Sequence, residues 1–261
     1  MMMRNLAVTS TLLLLVPWAH AAPSSPQRLQ AFATLPDWTG LWESDINTLF
    51  RNPSGHLEGA KDFEEVGHSK LVGHPPFNAQ WEQKYQAAVS NRAAMAAAAA
   101  GGKSCHITFP LTMDWSGIFQ LAVTPEETLL LSEHGEVRHI YTDGRSHPGK
   151  DDLWPTAMGD SIGRWQGDTL VIDTVARTPG PIGPGPLIDL SERAHFTERV
   201  RRIDQNTLED LLTIDDPLRF THPWQLTIRY SRVTDLDRMM PWDCAHDRNP
   251  VVNGKLTIET P

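Results

Sequence analysis

The chain has 261 residues, 23 basic and 32 acidic side chains, and a formal net charge of −9. This acidic balance argues against nucleic acid and anionic membrane surfaces as partners. The length suits one large β domain or two small ones.

The N-terminus has the pattern of an export signal over residues 1–21. Arg4 supplies the positive charge, residues 6–16 are largely apolar, and Ala19-His20-Ala21 fits a small-x-small cleavage site. The apolar run is too short to span a bilayer comfortably, so no membrane span is expected. We therefore expect a periplasmic or secreted protein, with a mobile lead over residues 22–36 and one β-rich domain over residues 37–261.

The chain has two cysteines, Cys105 and Cys244. In an oxidising compartment they are expected to form a disulfide that ties the C-terminal end to the middle of the chain. The alternative is two free thiols, one of them nucleophilic.

The first part of the domain is predicted to hold one short strand and one long helix. Gly40-Leu41-Trp42 reads as a strand with an aromatic anchor, and residues 44–76 read as a long loop. A helix is expected over residues 78–99, with Asn78 as its N-cap and two glycines beyond its end. This helix should cover the barrel or close one end of it.

The rest of the domain alternates between apolar and polar residues, as strands do. Residues 161–175 predict a hairpin that turns at Gly167-Asp168, with Trp165 facing Leu170 on an apolar face. The Pro- and Gly-rich residues 178–186 predict a loop, and the tail from residue 239 looks irregular. The other predicted strands are 117–123, 128–133, 136–142, 194–203, 207–214 and 225–233.

These short strands indicate one mainly β, mostly antiparallel domain, either a barrel or a β-sandwich. Trp42 and Trp165 should be buried in its core. In the 161–175 hairpin, Gly163 should face Ile172 and Ser161 should face Thr174.

Two segments carry a family resemblance. Residues 140–148, IYTDGRSHP, and residues 161–174, SIGRWQGDTLVIDT, resemble a mostly uncharacterised family of exported bacterial proteins with "IYTDGRxHP" and "SIGRWxGDTLVxDT" motifs. The chain differs in having Asp160 where the family often has His, and His139 where it often has a basic residue. The resemblance implies a calycin-like, lipocalin-like β architecture and no settled activity.

The densest group of polar residues lies at the end of the 136–142 strand. On alternation, His139 and Tyr141 share one face and Arg138 lies on the other. His139 and Tyr141 could act as acid and base, and Arg145 could hold a carboxylate or phenolate. The alternative is a strand-capping network in which Asp143 pairs with Arg145.

A second group of polar residues lies in the 194–214 hairpin, where Glu198 could point inward. A two-residue loop would place Arg201 opposite Asp210 as an ordinary ion pair, whereas a one-residue bulge would shift every facing pair. Asp173 could be a general base or orient one, close to Arg138 or His195. The alternative is that Asp173 is a buried structural residue, hydrogen-bonded to the backbone.

The chain lacks a phosphate loop, a dinucleotide fingerprint and a serine-hydrolase elbow, so no cofactor is expected. It also lacks a metal-binding spacing, although a metal recruited by His139, His147 and His195 stays open. The oligomeric state stays open as well. We expect a barrel that binds a small, aromatic or apolar organic molecule and catalyses acid–base chemistry of the lyase, isomerase or hydrolase type. The alternative is a non-catalytic binding protein.

We expect His139, Tyr141, Arg145 and His195, with Glu198 or Asp173, to line one pocket at an open end of the sheet. The expected catalytic residues are His139, Tyr141, Asp173, His195 and Glu198. The expected ligand-binding residues are Arg138, Asp143, Arg145, His147 and Trp165.

Overall fold

The computed structural model describes residues 26–44, 63–66, 69–72, 74–91, 109–110, 118–133, 135–182, 188–239, 251–252 and 255–256. The predicted export signal and the predicted Cys105–Cys244 disulfide lie outside these residues. Within the described part of the chain, no helix is long and apolar enough to cross a membrane.

The described elements are two helices and fifteen strands. The helices are α1 (Pro26–Thr34) and α2 (Ala79–Ser90). In chain order, the first eight strands are β1 (Leu41–Ser44), β2 (Phe63–Val66), β3 (Ser69–Val72), β4 (Ile118–Val123), β5 (Glu127–Ser132), β6 (Val137–Tyr141), β7 (Asp160–Gln166) and β8 (Thr169–Val175). The remaining strands are β9 (Gly180–Ile182), β10 (Ile188–Leu190), β11 (His195–Asp204), β12 (Thr207–Asp215), β13 (Trp224–Val233), β14 (Val251–Val252) and β15 (Lys255–Leu256).

Residues 1–34 and residues 35–261 form two separate compact units. In the first unit, helix α1 has no buried residue. Residues 26–34 of the predicted mobile lead thus form a helix.

Nine strands of the second unit close into a barrel in the order β1-β13-β12-β11-β8-β7-β6-β5-β4. Closure excludes the alternative of a β-sandwich. Eight of the nine neighbouring pairs are antiparallel, but β6 and β7 pair in parallel, with Ile140 beside Ser161 and Tyr141 beside Ile162. The barrel is therefore mixed, and the prediction of antiparallel neighbours is wrong at this pair, because a long connection lets the chain return to the start of β7 before it pairs.

The hairpin of β7 and β8 forms as predicted. Trp165 pairs with Leu170, Gly163 with Ile172 and Ser161 with Thr174. Gly163 is needed where the strands cross the core, because a Cβ there would lie 2.8 Å from Cγ2 of Ile140. The predicted burial of Trp42 is confirmed, whereas Trp165 is only partly buried, edge-on to Trp38.

The hairpin of β11 and β12 contains a register shift between Arg202 and Asp204. Arg201 therefore pairs with Glu209 and forms an ion pair of 2.8 Å with it. The predicted Arg201–Asp210 pair is wrong, because the shift turns Asp210 into the barrel, where it is 1% exposed.

Three predicted loop or irregular segments contain short two-stranded sheets: β2–β3, β9–β10 and β14–β15. The prediction of continuous loop over residues 44–76 and 178–186, and of an irregular tail, is wrong at these strands. In β9, Pro181 is paired with Asp189 at the edge of a small sheet, a position that tolerates proline.

Helix α2 begins at the predicted cap, since the side chain of Asn78 accepts a hydrogen bond from the backbone N–H of Trp81 at 3.1 Å. The described helix ends at Ser90, so the rest of the predicted 78–99 helix lies outside the described residues. Asn78 also donates to the carbonyl of Leu218 at 3.1 Å, which fastens the helix to the connection between β12 and β13. The helix therefore lies at one end of the barrel, with Tyr85 buried.

The barrel interior is filled by aromatic and aliphatic side chains. A cavity between Trp38, Leu130, Ile172 and Tyr230 has room for about one water molecule. It is too small for an organic ligand, so a lipocalin-like ligand would need space other than this cavity.

Candidate functional site

The strand alternation divides the predicted site residues between the two faces of the sheet. Arg138 and Glu198 are buried inside the barrel, at 1% and 0% exposure. His139, Asp173 and His195 lie on the outer face, with side chains 43–50% exposed. The expected pocket therefore cannot include Glu198, because its side chain points into the barrel. Asp173, the alternative carboxylate, lies on the same outer face as His139 and His195.

Inside the barrel, Arg138 forms a buried ion pair with Glu198. Nη1 of Arg138 donates to Oε1 of Glu198 at 2.9 Å, and Nη2 donates to Oε2 at 2.5 Å. The guanidinium also donates to the hydroxyls of Ser161 at 3.2 Å and Thr174 at 2.9 Å, and it lies 3.9 Å from the ring centre of Phe109. These contacts join β6, β7, β8 and β11.

Asp210 completes this inner charged cluster, which we define as Arg138, Ser161, Thr174, Glu198 and Asp210. Neither carboxyl oxygen of Asp210 makes a hydrogen bond of standard geometry within the described residues, although the Glu198 carboxyl and the backbone of Arg199 lie near enough to act on it. Burial raises the pKa of Asp210 well above its usual value, and the negative charge of Glu198 raises it further, whereas Arg138 lowers it. The cluster is sealed from solvent, so it is not a surface for substrate.

On the outer face, three predicted site residues meet one further carboxyl. We call this group the outer polar cluster; it consists of His147, Asp173 and His195 with Asp160. Nδ1 of His147 lies 2.5 Å from Oδ1 of Asp160, and its Nε2 lies 3.2 Å from Oδ1 of Asp173. Nε2 of His195 lies 2.8 Å from the same oxygen of Asp173. One carboxylate thus holds two imidazole rings.

The hydrogen-bonding roles in this cluster follow from the groups involved. An ionised carboxylate only accepts hydrogen bonds, so each ring nitrogen that contacts one must carry a proton. When both carboxyls are ionised, His147 donates from both ring nitrogens. His195 needs a proton only on Nε2, and its Nδ1 has no hydrogen-bond partner among the described residues.

The ends of three strands and one loop position the outer polar cluster. Asp160 starts β7, Asp173 lies near the end of β8, and His195 starts β11. Gly159, just before Asp160, has φ +72°, and a Cβ there would lie 2.7 Å from Cγ2 of Thr174. The chain can therefore make this close turn into β7 only with glycine.

The other predicted site residues on the outer face form a surface network beside this cluster. Arg145 pairs with Asp143 at 2.6 Å, and its hydrogen bonds lower the pKa of Asp143. The guanidinium of Arg145 lies 4.1 Å from the ring centre of Tyr141, and His139 stacks on Tyr141 and contacts Glu127 at 2.9 Å. The predicted strand-capping alternative describes the Asp143–Arg145 pair correctly.

The sequence pointed to some members of both clusters and missed others. Ser161 and Thr174 were expected only to face each other, although two hydroxyls at one end of an apolar row signal a buried polar partner. Asp160 was noted only as a departure from the family pattern. Trp165, predicted to bind ligand, is partly buried and packs edge-on against Trp38.

Within the residues that the structure describes, no group of three or more His, Cys, Asp or Glu side chains is arranged to hold a metal ion. This includes His139, His147 and His195, of which only the last two share a partner.

Comparison with known proteins adds no family to this description. No protein-family model matches the chain, and a search of curated proteins finds no significant match. The resemblance to exported bacterial proteins therefore stays a prediction.

Proposed function

We propose that the protein is an exported acid–base enzyme that acts on a small organic molecule at the outer polar cluster, without a cofactor. The single observation that carries the proposal is the contact of 2.8 Å between Nε2 of His195 and Asp173. It selects the ring tautomer with its proton on Nε2, which leaves the lone pair of Nδ1 free to take a proton from a substrate.

Each residue of the cluster has a role in this proposal. His195 is the general base, and Asp173 orients its ring and stabilises the imidazolium that forms when the ring takes a proton. Asp160 and His147 hold Asp173 from the other side, so the carboxylate keeps its direction. The stacked His139 and Tyr141 border the cluster, because Tyr141 is next to Ile162 in the sheet and Ile162 is next to Asp173.

A calycin-like origin of the barrel, an aromatic or apolar substrate, and the Cys105–Cys244 disulfide belong to this proposal as well. The alternative function is binding of the same molecule without turnover. A binding-only protein has no need of a carboxylate that fixes the tautomer of an exposed histidine, so the Asp173–His195 contact favours the enzyme.

A paired screen of wild type and His195→Gln would test the proposal. Both proteins would be incubated with a panel of small aromatic and carbonyl compounds, and turnover and binding would be read together by mass spectrometry. For any compound that turns over, we expect His195→Gln to lower the rate by about 100-fold, the usual effect of removing a general base.

Arg199→Gln is the matched control for this screen. Arg199 lies on the same outer face of β11, about 13 Å from His195 along the strand, and contacts Gln166. Equal turnover in wild type and His195→Gln would exclude His195 as the base. Binding that weakens in His195→Gln with no turnover in wild type would leave the binding-only alternative.

A further inference from the structure

Among the residues that the structure describes, Glu198 and Asp210 lie inside the barrel beside the guanidinium of Arg138. Glu198 and Asp210 are 0% and 1% exposed, and both point inward from neighbouring strands. Val200 pairs with Asp210 and Glu198 pairs with Leu212, so the two carboxyls are diagonal neighbours on the inner face. Arg177, a second buried guanidinium in the described part of the chain, donates to the carbonyls of Phe109, Gly180 and Pro181.

Arg138 is directed to Glu198 rather than to Asp210. Both of its Nη atoms donate to Glu198, and its remaining contacts include the hydroxyls of Ser161 and Thr174. From β13, the neighbour that pairs with Asp210 is the apolar Ile228. The charged groups that act on Asp210 are thus Glu198 on β11 and Arg138 on β6.

We infer that Glu198 and Asp210 share one proton inside the barrel, so that the inner charged cluster carries one positive and one negative charge. Two ionised carboxyls would leave an uncompensated negative charge in an apolar core, which is very costly. They would also only accept hydrogen bonds, so neither carboxylate could donate one to the other. A proton on Asp210 turns it into a donor that Glu198 can accept.

The shared proton makes the stability of the barrel depend on pH. In the unfolded chain Asp210 loses its proton near pH 3.9, whereas burial holds it on the folded protein to a much higher pH. Unfolding between these two pKa values therefore releases a proton and is favoured as the pH rises. The folded barrel gains from this proton in acid and loses that gain towards alkaline pH.

The test compares the pH dependence of unfolding in wild type and Asp210→Asn, which keeps the shape and removes the titration. Above about pH 4, we expect the ratio of the wild-type to the variant unfolding constant to rise about tenfold per pH unit, the value for one proton. Asp215→Asn, an exposed carboxyl on the same strand, should follow the wild type. Parallel curves for wild type and Asp210→Asn would overturn the inference.

Infrared difference spectra provide a second test that needs no folded variant. In wild-type protein labelled with ¹³C in the carboxyl groups of aspartate or of glutamate, a carboxylic acid C=O band should persist at pH 7. A shift of this band on ¹³C labelling of either aspartate or glutamate supports a shared proton, because the proton belongs to the pair of carboxyls and not to one of them. Absence of any carboxylic acid band at pH 7 would overturn the inference.

Discussion

Removal of Arg138 should be among the most damaging single changes to this barrel. In Arg138→Met, Glu198 stays buried with no cation, and the hydroxyls of Ser161 and Thr174 lose their common donor. Two hydrogen bonds to a charged group are worth about 3–6 kcal/mol in total, and breaking a buried ion pair from one side costs about 3–5 kcal/mol. A loss of about 3–5 kcal/mol is a large part of the 5–15 kcal/mol that stabilises a typical domain.

Urea unfolding, followed by tryptophan fluorescence, would measure this loss. The double variant Arg138→Met with Glu198→Leu should recover most of it, because an apolar pair replaces a charge left alone. Arg201→Met is the matched control. It breaks the exposed pair with Glu209, where Arg201 is 58% exposed, and should cost no more than about 1 kcal/mol. A loss below about 1 kcal/mol in Arg138→Met would refute the reasoning from burial.

Three further changes test other parts of the fold by the same unfolding assay. Gly163→Ala should cost about 1–3 kcal/mol by overpacking, whereas Gly149→Ala, with open space around it, should have little effect. Asn78→Ala should cost about 1 kcal/mol by loss of the helix cap. Burial raises the pKa of Glu209, but hydrogen bonds from two arginines outweigh this and lower it. The ionised Glu209 therefore stabilises the fold at pH values above its unfolded pKa, and the wild type loses this stability as the pH falls through the native pKa. Glu209→Gln should remove the same stability at neutral pH.

The strands of the barrel could be predicted because their residues alternate and their turns are short. The β7–β8 hairpin shows this best, since Gly167-Asp168 set the loop and the alternation set every facing pair. The β11–β12 hairpin shows the limit. One bulge beside Asp204 moved Asp210 from an exposed pair to the core, and no local pattern distinguishes the two registers.

The parallel pair of β6 and β7 was missed for a different reason. Strands that follow each other along the chain of a β domain usually pair as antiparallel hairpins. Two consecutive strands can pair in parallel only when a connection of about a dozen residues or more joins them. The segment between Tyr141 and Asp160 is that long. Its length was the signal that the chain crosses back before pairing.

The sequence identified many residues of the candidate site, but not which face of the sheet each side chain occupies. Alternation separated Arg138 from His139, yet it could not tell which of the two faced the core. A histidine and an arginine are both unusual inside a barrel, so residue type did not decide. The buried partner Glu198 lies sixty positions away along the chain, and only the fold brings it to Arg138.

The two clusters lie back to back on the same strands. Ser161 and Thr174 face inward and bind Arg138, while Asp160 and Asp173, each one residue earlier, face outward and bind the two histidines. The inner ion pair therefore ties together β7, β8 and β11, the three strands that carry Asp160, Asp173 and His195. A general base must be held in its working direction, and rigid strands do this better than loops. In the proposed enzyme, a buried charge network that never meets substrate would thus position the carboxylate that orients His195.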